Sequence, residues 1–422
     1  GWGQESFNFI FNKNVPAEMH TEEPWFDRAH NIFFDWLVAG GILGVIGYFA
    51  IPVVAMYYIW FYRRGEQYFD DVERSILTGL GAGYFFHQMF VFDNLVSYIL
   101  YFSVLAFIYS RVRQKVRPGT LMGFQIKPDV ALYYAGPVVV VLLAGSLYFV
   151  NYMPIQAATG MIDALRASQR GNYQQALDEF RWLANDYNMV GRQEIAEQLT
   201  QTATRIANSS AGMETKQSFK QLAQNTMGDL ITEVPNDART RLFYASMFRA
   251  YGENQKALTH FEKAEELSPE KQLIDFSLAQ TYLDLGQDEQ ALETMREAFE
   301  LAPSNDNART GLAALLIRDG QVDEAKQLLQ EGFSTTTVTN GRIINAYSNA
   351  GNYRELLPIM EKRIREDPSN AQNYVSLAAV YLQLNQQEQA VEVVERGIDR
   401  NPGFQQRGQQ IINQIRGTGT QQ

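Results

Sequence analysis

The chain contains no cysteine among its 422 residues. A disulfide framework, a zinc–thiolate site and a thiol nucleophile are thereby excluded, and the redox compartment is left open. Charge is sparse at the start: residues 1–150 hold ten Lys and Arg against twelve Asp and Glu, a net of −2. Of the overall −11, −9 therefore belongs to the remainder, an acidic balance that argues against nucleic acid as a partner. An initiator methionine and a signal-peptide pattern are also lacking. The chain opens at Gly1 inside a patterned segment and reads as the carboxy-terminal piece of a longer protein.

What is present changes character near Asn151, from Phe, Tyr, Val, Leu, Ile and Gly to Gln, Glu, Ala and Asn. Before that point lie four apolar runs of membrane-spanning length, at about 32–62, 75–92, 95–109 and 130–152. Asp93-Asn94 makes a tight polar turn between the second and third. Arg63, Arg64 and Arg74 follow the first run, and Arg111, Arg113, Lys115, Arg117 and Lys127 follow the third. The opposite side has Lys13 and Arg28, then Arg166 and Arg170. Positive charge favours the cytoplasmic side, so residues 1–31 and everything after about residue 152 are expected outside a cytoplasmic (inner) membrane. Gly40 with Gly44, and Gly79 with Gly83, have the four-residue spacing that lets helices approach closely in lipid.

The second half repeats every 34 residues. Ala223, Ala257, Ala291 and Ala325 recur at that interval, and Ala390 follows Leu356 by the same step. Twelve residues beyond stand Pro235, Pro269, Pro303, Pro368 and Pro402. Five residues before stand Gly252, Gly286, Gly320 and Gly351, with Asn385 in the last copy. Tyr282, Tyr347 and Tyr381 fill an aromatic position on the first helix. The pattern resembles the tetratricopeptide repeat, in which a small residue lets two helices touch and a proline ends the second. Six units are expected from about residue 191, with 158–187 (Gly171, Ala176, Phe180) as a degenerate first unit. The resemblance implies an α-solenoid with a concave face for peptides or partner proteins.

The segment Trp25-Phe-Asp-Arg-Ala-His-Asn31 stands just before the first apolar run. Asp27 is a suitable N-cap, which would place Arg28 to Asn31 in the first helical turn at the outer face. The positive helix end favours an anion there and a neutral imidazole at His30, able to act as a general base. Arg28, Asn31 and Asp35 would share one helical stripe, and Asp35 in lipid calls for a partner. Read from the residues alone, Trp25, Arg28, His30 and Asn31 serve either as an interfacial anchor or as a site. His87, near the outer end of the second run and close to Asp93, is either a hydrogen-bonded bundle histidine or a second member of that site.

Gly1-Trp-Gly3 with Phe7, the Trp25–Asn31 segment and Ala39-Gly-Gly-Ile-Leu-Gly44 together resemble the carboxy-terminal core of the O-antigen ligase and polymerase superfamily. The family's motif of His, then Asn, Ser or Gln, two free positions and Leu is met by His30 and Asn31, with Phe34 in the leucine place. The resemblance covers roughly residues 1–110. Taken with the apolar runs and the 34-residue repeat, the expected architecture is all-α: an extracytoplasmic loop with the His motif (1–31), four transmembrane helices of a polytopic bundle (32–152), the carboxy-terminal part of the ligase-like domain, and a soluble tetratricopeptide solenoid (158–416). The resemblance implies a glycosyl-transferring enzyme without cofactor or metal, moving a glycan from undecaprenyl-diphosphate to an acceptor hydroxyl outside the membrane. His30 is then the catalytic residue and Arg28 and Asn31 bind substrate, with His87 and Asp35 as further candidates. Membrane lipid and a protein or glycan acceptor brought by the repeats are the other expected partners. Family arginines of upstream loops are absent, so this stretch alone is expected to be inactive. An exopolysaccharide polymerase uses the same residues. A membrane-anchored, non-catalytic repeat scaffold is the alternative of a different class.

Overall fold

A computed structural model describes residues 1–3, 6–22, 25–62, 68–112, 120–121, 124–125, 128–187 and 191–418. The described chain is helical apart from two short antiparallel strands, Thr120–Leu121 and Phe124–Gln125. It forms two compact units, one of described residues within 1–15, 23–253 and 266–269, the other within 16–22, 254–265 and 270–422.

Among the described residues of the first unit, three helices are long and apolar enough to cross a membrane: Ile32–Trp60, Leu95–Val112 and Tyr133–Gln169. The sequence predicts four spans, and the second of them is where composition differs. Helix Asp71–Gln88 is eighteen residues long, but its first turn carries Asp71, Glu73 and Arg74. Those charges build a capping box: Asp70 accepts from the Glu73 amide at 2.7 Å and Glu73 accepts from the Asp70 amide at 3.1 Å. Of the eight basic residues used for orientation, Arg74 pairs with Asp71 at 3.3 Å and Arg111 with Glu73 at 2.6 Å. The other six lie outside the described residues. Ala55, Ile59, Phe69, Leu77 and Ile108 form a small buried cluster among helices Ile32–Trp60, Asp71–Gln88 and Leu95–Val112.

Helix Ile32–Trp60 is broken at Gly41, whose φ of +64° and ψ of −161° belong to glycine. The break frees the carbonyls of Val38 and Ala39, which apolar surroundings would make costly. The amides of Trp2 and Gly3 take them, at 2.7 and 3.0 Å. A side chain on Gly41 would lie 2.8 Å from the Gly1 nitrogen. The glycines expected at helix contacts do other things. Gly40 and Gly44 face Trp36 of their own helix, and a Cβ on Gly79 or Gly83 would meet nothing within 4 Å. Gly81 is the residue that meets the first helix, at Met56.

Helix pairs make up the rest. In the first unit, Met153–Gln169 packs on Tyr173–Asp186 and Arg192–Ala207 on Met213–Glu233, followed by Ala238–Ala250. In the second, Gln272–Asp284 packs on Asp288–Leu301, Asp306–Arg318 on Val322–Phe333, Gly341–Asn349 on Tyr353–Glu366 and Ala371–Gln383 on Gln387–Arg400. Gln405–Thr418 closes the stack against the last pair. The alanines at the 34-residue interval are fully buried, where a larger side chain would force the helices apart. Gly252, Gly286, Gly320 and Gly351 turn the chain at φ of 71–85°, and Asn385 does so at 58°. Two residues past the prolines at 235, 303 and 368, Asp237, Asn305 and Asn370 cap the next helix through their side chains. Within each unit the result is a stack of helix pairs, tetratricopeptide-like in its spacing.

Candidate functional site

The loop before the first long helix is laid out by capping and ring contacts. Asn31, not Asp27, is the N-cap: its Oδ1 accepts from the amides of Phe33 at 2.9 Å and Phe34 at 3.3 Å. Its Nδ2 donates to the Met89 carbonyl at 3.0 Å, tying the loop to the end of helix Asp71–Gln88. Arg28 and His30 therefore precede the helix instead of occupying its first turn. His30 sits at a φ of +48°, a conformation in which histidine is uncommon. Asp27 and Asn31 are both good caps by residue type, so local sequence could not choose between them.

Rings continue the layout. Phe7 stacks on Phe11 at 5.4 Å, Phe11 meets Phe26 edge-on at 4.9 Å, and Phe26 lies 6.2 Å from the His30 ring. His30 is in turn 5.4 Å from Phe92. The Arg28 guanidinium stands 4.9 Å over that same Phe92 ring and 3.8 Å from the Asp35 carboxylate. Asp35 thus has the partner its depth requires, although Arg28 reaches it from outside the helix.

Arg28 and Asp35 share the wall of a cleft of about 400 Å³ with Trp36, Phe92, Asp93 and Tyr98. Behind the wall, Asp93 is a buried hub. It accepts from the hydroxyls of Tyr48 at 2.7 Å, Tyr84 at 2.5 Å and Ser97 at 3.0 Å, and from the Gln88 amide. Four donors on one buried carboxylate fix the turn that follows helix Asp71–Gln88. In the sequence Asp93 reads as part of a polar turn; a lone acid between apolar runs was the available signal. His87 is exposed, whereas its neighbour Gln88 is fully buried and faces Asp93. Adjacent helical residues point about 100° apart, so only one of the two can join the hub.

Of the residues expected at one site, Arg28 and Asp35 are brought together. Asn31 anchors the loop. His30 contacts Phe92 and is exposed, lining neither this cleft nor the next. A second cleft, about 390 Å³, also has Asp27 and Arg28 in its lining. It is walled by Asn8, Asn12, Trp25 and Phe26 and by Gly191, Gln193, Glu194, Glu197 and Arg239 of the first helix pairs. Glu197 is 1% exposed and pairs with Arg239 at 2.7 Å. Burial outweighs that guanidinium and pushes the Glu197 carboxyl up to about 7.

In the second unit, a groove of about 500 Å³ runs along the first helices of successive pairs. Phe276, Leu283 and Leu315 supply its apolar floor, and Arg318, Arg342 and Asn345 its polar edge. Such a face suits an extended or helical protein segment carrying both apolar and acidic groups.

Comparison with known proteins addresses the repeats. A family model of the regulator of microtubule dynamics protein 1-3 matches residues 241–311. Tetratricopeptide-repeat models match residues 289–335 and 371–404. Among solved structures, a tetratricopeptide repeat protein from Parabacteroides merdae is 17% identical, over 62% of this chain and 98% of its own, with a TM-score of 0.39. YrrB, described as a TPR protein with an unusual peptide-binding site, is 21% identical over 42% of this chain and 92% of its own, with a TM-score of 0.31. MamA is 18% identical over 39% and 91%, with a TM-score of 0.32. No curated protein matches the chain. Where these models match, the helix pairs of this protein are tetratricopeptide repeats, a scaffold for protein interaction.

Proposed function

We propose that this chain is part of a membrane enzyme of the O-antigen ligase type, carrying a repeat domain that engages a protein partner. In this reading residues 1–31 are an outer loop, 32–152 four membrane helices and 158–416 the repeats, with the loop and the repeats on the extracytoplasmic side of the inner membrane. The observation that carries it is the placing of Arg28. Its guanidinium is fixed between Asp35 and Phe92 in a polar cleft at the end of apolar, membrane-length helices.

His30 takes the proton from the acceptor hydroxyl. The hydroxyl oxygen attacks the anomeric carbon of the glycan as the bond from that carbon to the carrier diphosphate breaks. The electron pair leaves on undecaprenyl diphosphate, and Arg28 stabilises its charge. Closure of the loop on the bound carrier is needed to bring His30 over the cleft, since His30 touches the lining residue Phe92 without lining the cleft itself. Asn31 sets the loop's register. Asp35 holds Arg28. Membrane lipid surrounds the apolar helices, and the groove at Arg318 and Arg342 receives a protein partner.

The test is His30→Ala in the full-length protein in its native membrane. Glycan transfer is expected to vanish while protein level is unchanged. Accumulation of free lipid-linked chains then identifies a ligase, and loss of long chains everywhere identifies a polymerase. A second reading, a membrane-anchored repeat scaffold without catalysis, draws on the family matches, which fall on the repeats alone. Transfer retained in His30→Ala leaves that reading standing.

A further inference from the structure

We infer that the second cleft, the one walled partly by the repeat domain, is a carbohydrate site that holds the sugar rings of the carrier-linked glycan; the identity of that ligand rests on the transferase reading above. The cleft is made by two regions that the sequence separates by more than 150 residues. One wall is the outer loop, and the other is the start of the helix Arg192–Ala207 with Arg239 from the next pair.

Its lining is that of a sugar site. Trp25 and Phe26 line it with aromatic rings, the kind of surface that packs against the C–H side of a pyranose ring. Around them stand side chains that both donate to and accept from hydroxyls. Asn8 and Asn12 each keep an amide oxygen closed to bulk solvent and without a hydrogen-bond partner among the described residues. Asn12 is 3% exposed. An unpaired buried oxygen is costly, and an apolar occupant would leave both unpaired. A polyhydroxylated occupant supplies the missing donors after a small rotation of either amide. With Glu197, whose carboxyl lies at about 7, counted neutral or ionised, the lining has two or three carboxylates, from Asp27, Glu194 and Glu197, against two guanidiniums, Arg28 and Arg239, and so never a net positive charge. That balance disfavours a strongly anionic ligand and suits neutral sugars. A volume of about 390 Å³ holds a short oligosaccharide.

Direction comes from the shared wall. Asp27 and Arg28 line both clefts. A ligand with its diphosphate at the Arg28–Asp35 side therefore runs its first sugars past Asp27 into the second cleft. The repeat domain is then part of the substrate site, in addition to its groove for a protein partner.

The experiment uses the full-length protein in lipid nanodiscs and two probes: the glycan released from the host's carrier by mild acid, and inorganic diphosphate. Affinities are read by calorimetry. Asn12→Ala removes the buried acceptor, and Glu194→Trp fills the mouth from an exposed position. Each is expected to weaken glycan binding by about tenfold or more and to leave diphosphate binding unchanged. Unaltered glycan affinity in Glu194→Trp, equal loss of both probes, or no glycan binding by the unsubstituted protein overturns the inference. If Asn12→Ala proves unfolded in a thermal melt, Glu194→Trp decides alone. His30→Ala separates this inference from the transferase reading. Transfer that persists in His30→Ala while glycan binding maps to the cleft removes the enzyme and keeps the sugar site. Transfer lost in His30→Ala with glycan binding indifferent to Glu194→Trp does the reverse.

Discussion

Arg28 lies 4.9 Å over the Phe92 ring, so a cation from the loop before the first long helix is held by a ring from the turn after helix Asp71–Gln88. The contact joins segments more than sixty residues apart in sequence. With the Arg28 side chain 38% exposed, a cation–π pair of this kind contributes about 0.5–1 kcal/mol, a bias toward one rotamer. The Asp35 carboxylate at 3.8 Å adds direction more than strength.

Substitution at Arg28 separates charge from shape. Under the proposed reaction, Arg28→Ala removes the stabilising cation and is expected to lower glycan transfer by about 10²–10³-fold. Arg28→Lys keeps the charge but loses the flat guanidinium that stacks on Phe92, so an intermediate loss, about tenfold, is expected. The rate of transfer from lipid-linked glycan in membranes, at matched protein level, measures both. Equal rates in Arg28→Ala and the unsubstituted protein would place the diphosphate elsewhere.

A steric comparison tests helix packing in the repeats. A Cβ on Gly160 would sit 2.5 Å from Cζ3 of the Trp182 ring and 3.3 Å from Leu183. A Cβ on Gly311 would sit 2.9 Å from Sδ of Met295. Both substitutions to alanine gain about 1 kcal/mol of helix propensity. At Gly311 the flexible thioether gives way, and Gly311→Ala is expected to be neutral or to raise the melting temperature slightly. At Gly160 a rigid ring blocks the change, and overpacking costs about 1–3 kcal/mol. Gly160→Ala should therefore melt lower by a few degrees. Circular dichroism melts of the two variants side by side would show the difference.

The repeats were legible in the sequence because their physics is periodic. Where two helices must touch every 34 residues, a small residue recurs, and the alanines at 223, 257, 291, 325 and 390 are all fully buried. Where the chain must take a positive φ, glycine recurs, or Asn385 substitutes. The loop was legible only in part. Arg28 and Asp35 do meet, but the helix begins only after its cap Asn31, and His30 before it takes a left-handed turn that neighbouring residue types do not announce. The hub at Asp93 was hidden because its donors come from residues 48, 84, 88 and 97, and a turn gives no sign of distant partners. His87 attracted interest by its chemistry, whereas helix phase hands the inward position to Gln88. The second cleft depends on helix Arg192–Ala207 lying beside the loop that precedes the first long helix, a tertiary fact with no local signature.

Asp275 makes the stability of the repeats depend on pH with a definite sign. It is 3% exposed on helix Gln272–Asp284, and its Oδ2 has no hydrogen-bond partner among the described residues. Burial first, then the nearby Glu265 and Glu297 charges, push its carboxyl from the ordinary 3.8 up to about 8. Between those values the folded protein holds a proton that the unfolded chain has released. Stability therefore falls as pH rises through that window and levels off above about 8, once both states are ionised. Asp275→Asn keeps the shape and removes the titration. Its melting temperature should match the unsubstituted protein near pH 4 and exceed it by several degrees at pH 8.5. The quantity to measure is the difference between the two melting temperatures across pH 4–9, which cancels the titration of every other group. A difference that stays constant over that range would mean that Asp275 is ionised in the folded state throughout, with its second oxygen satisfied by water.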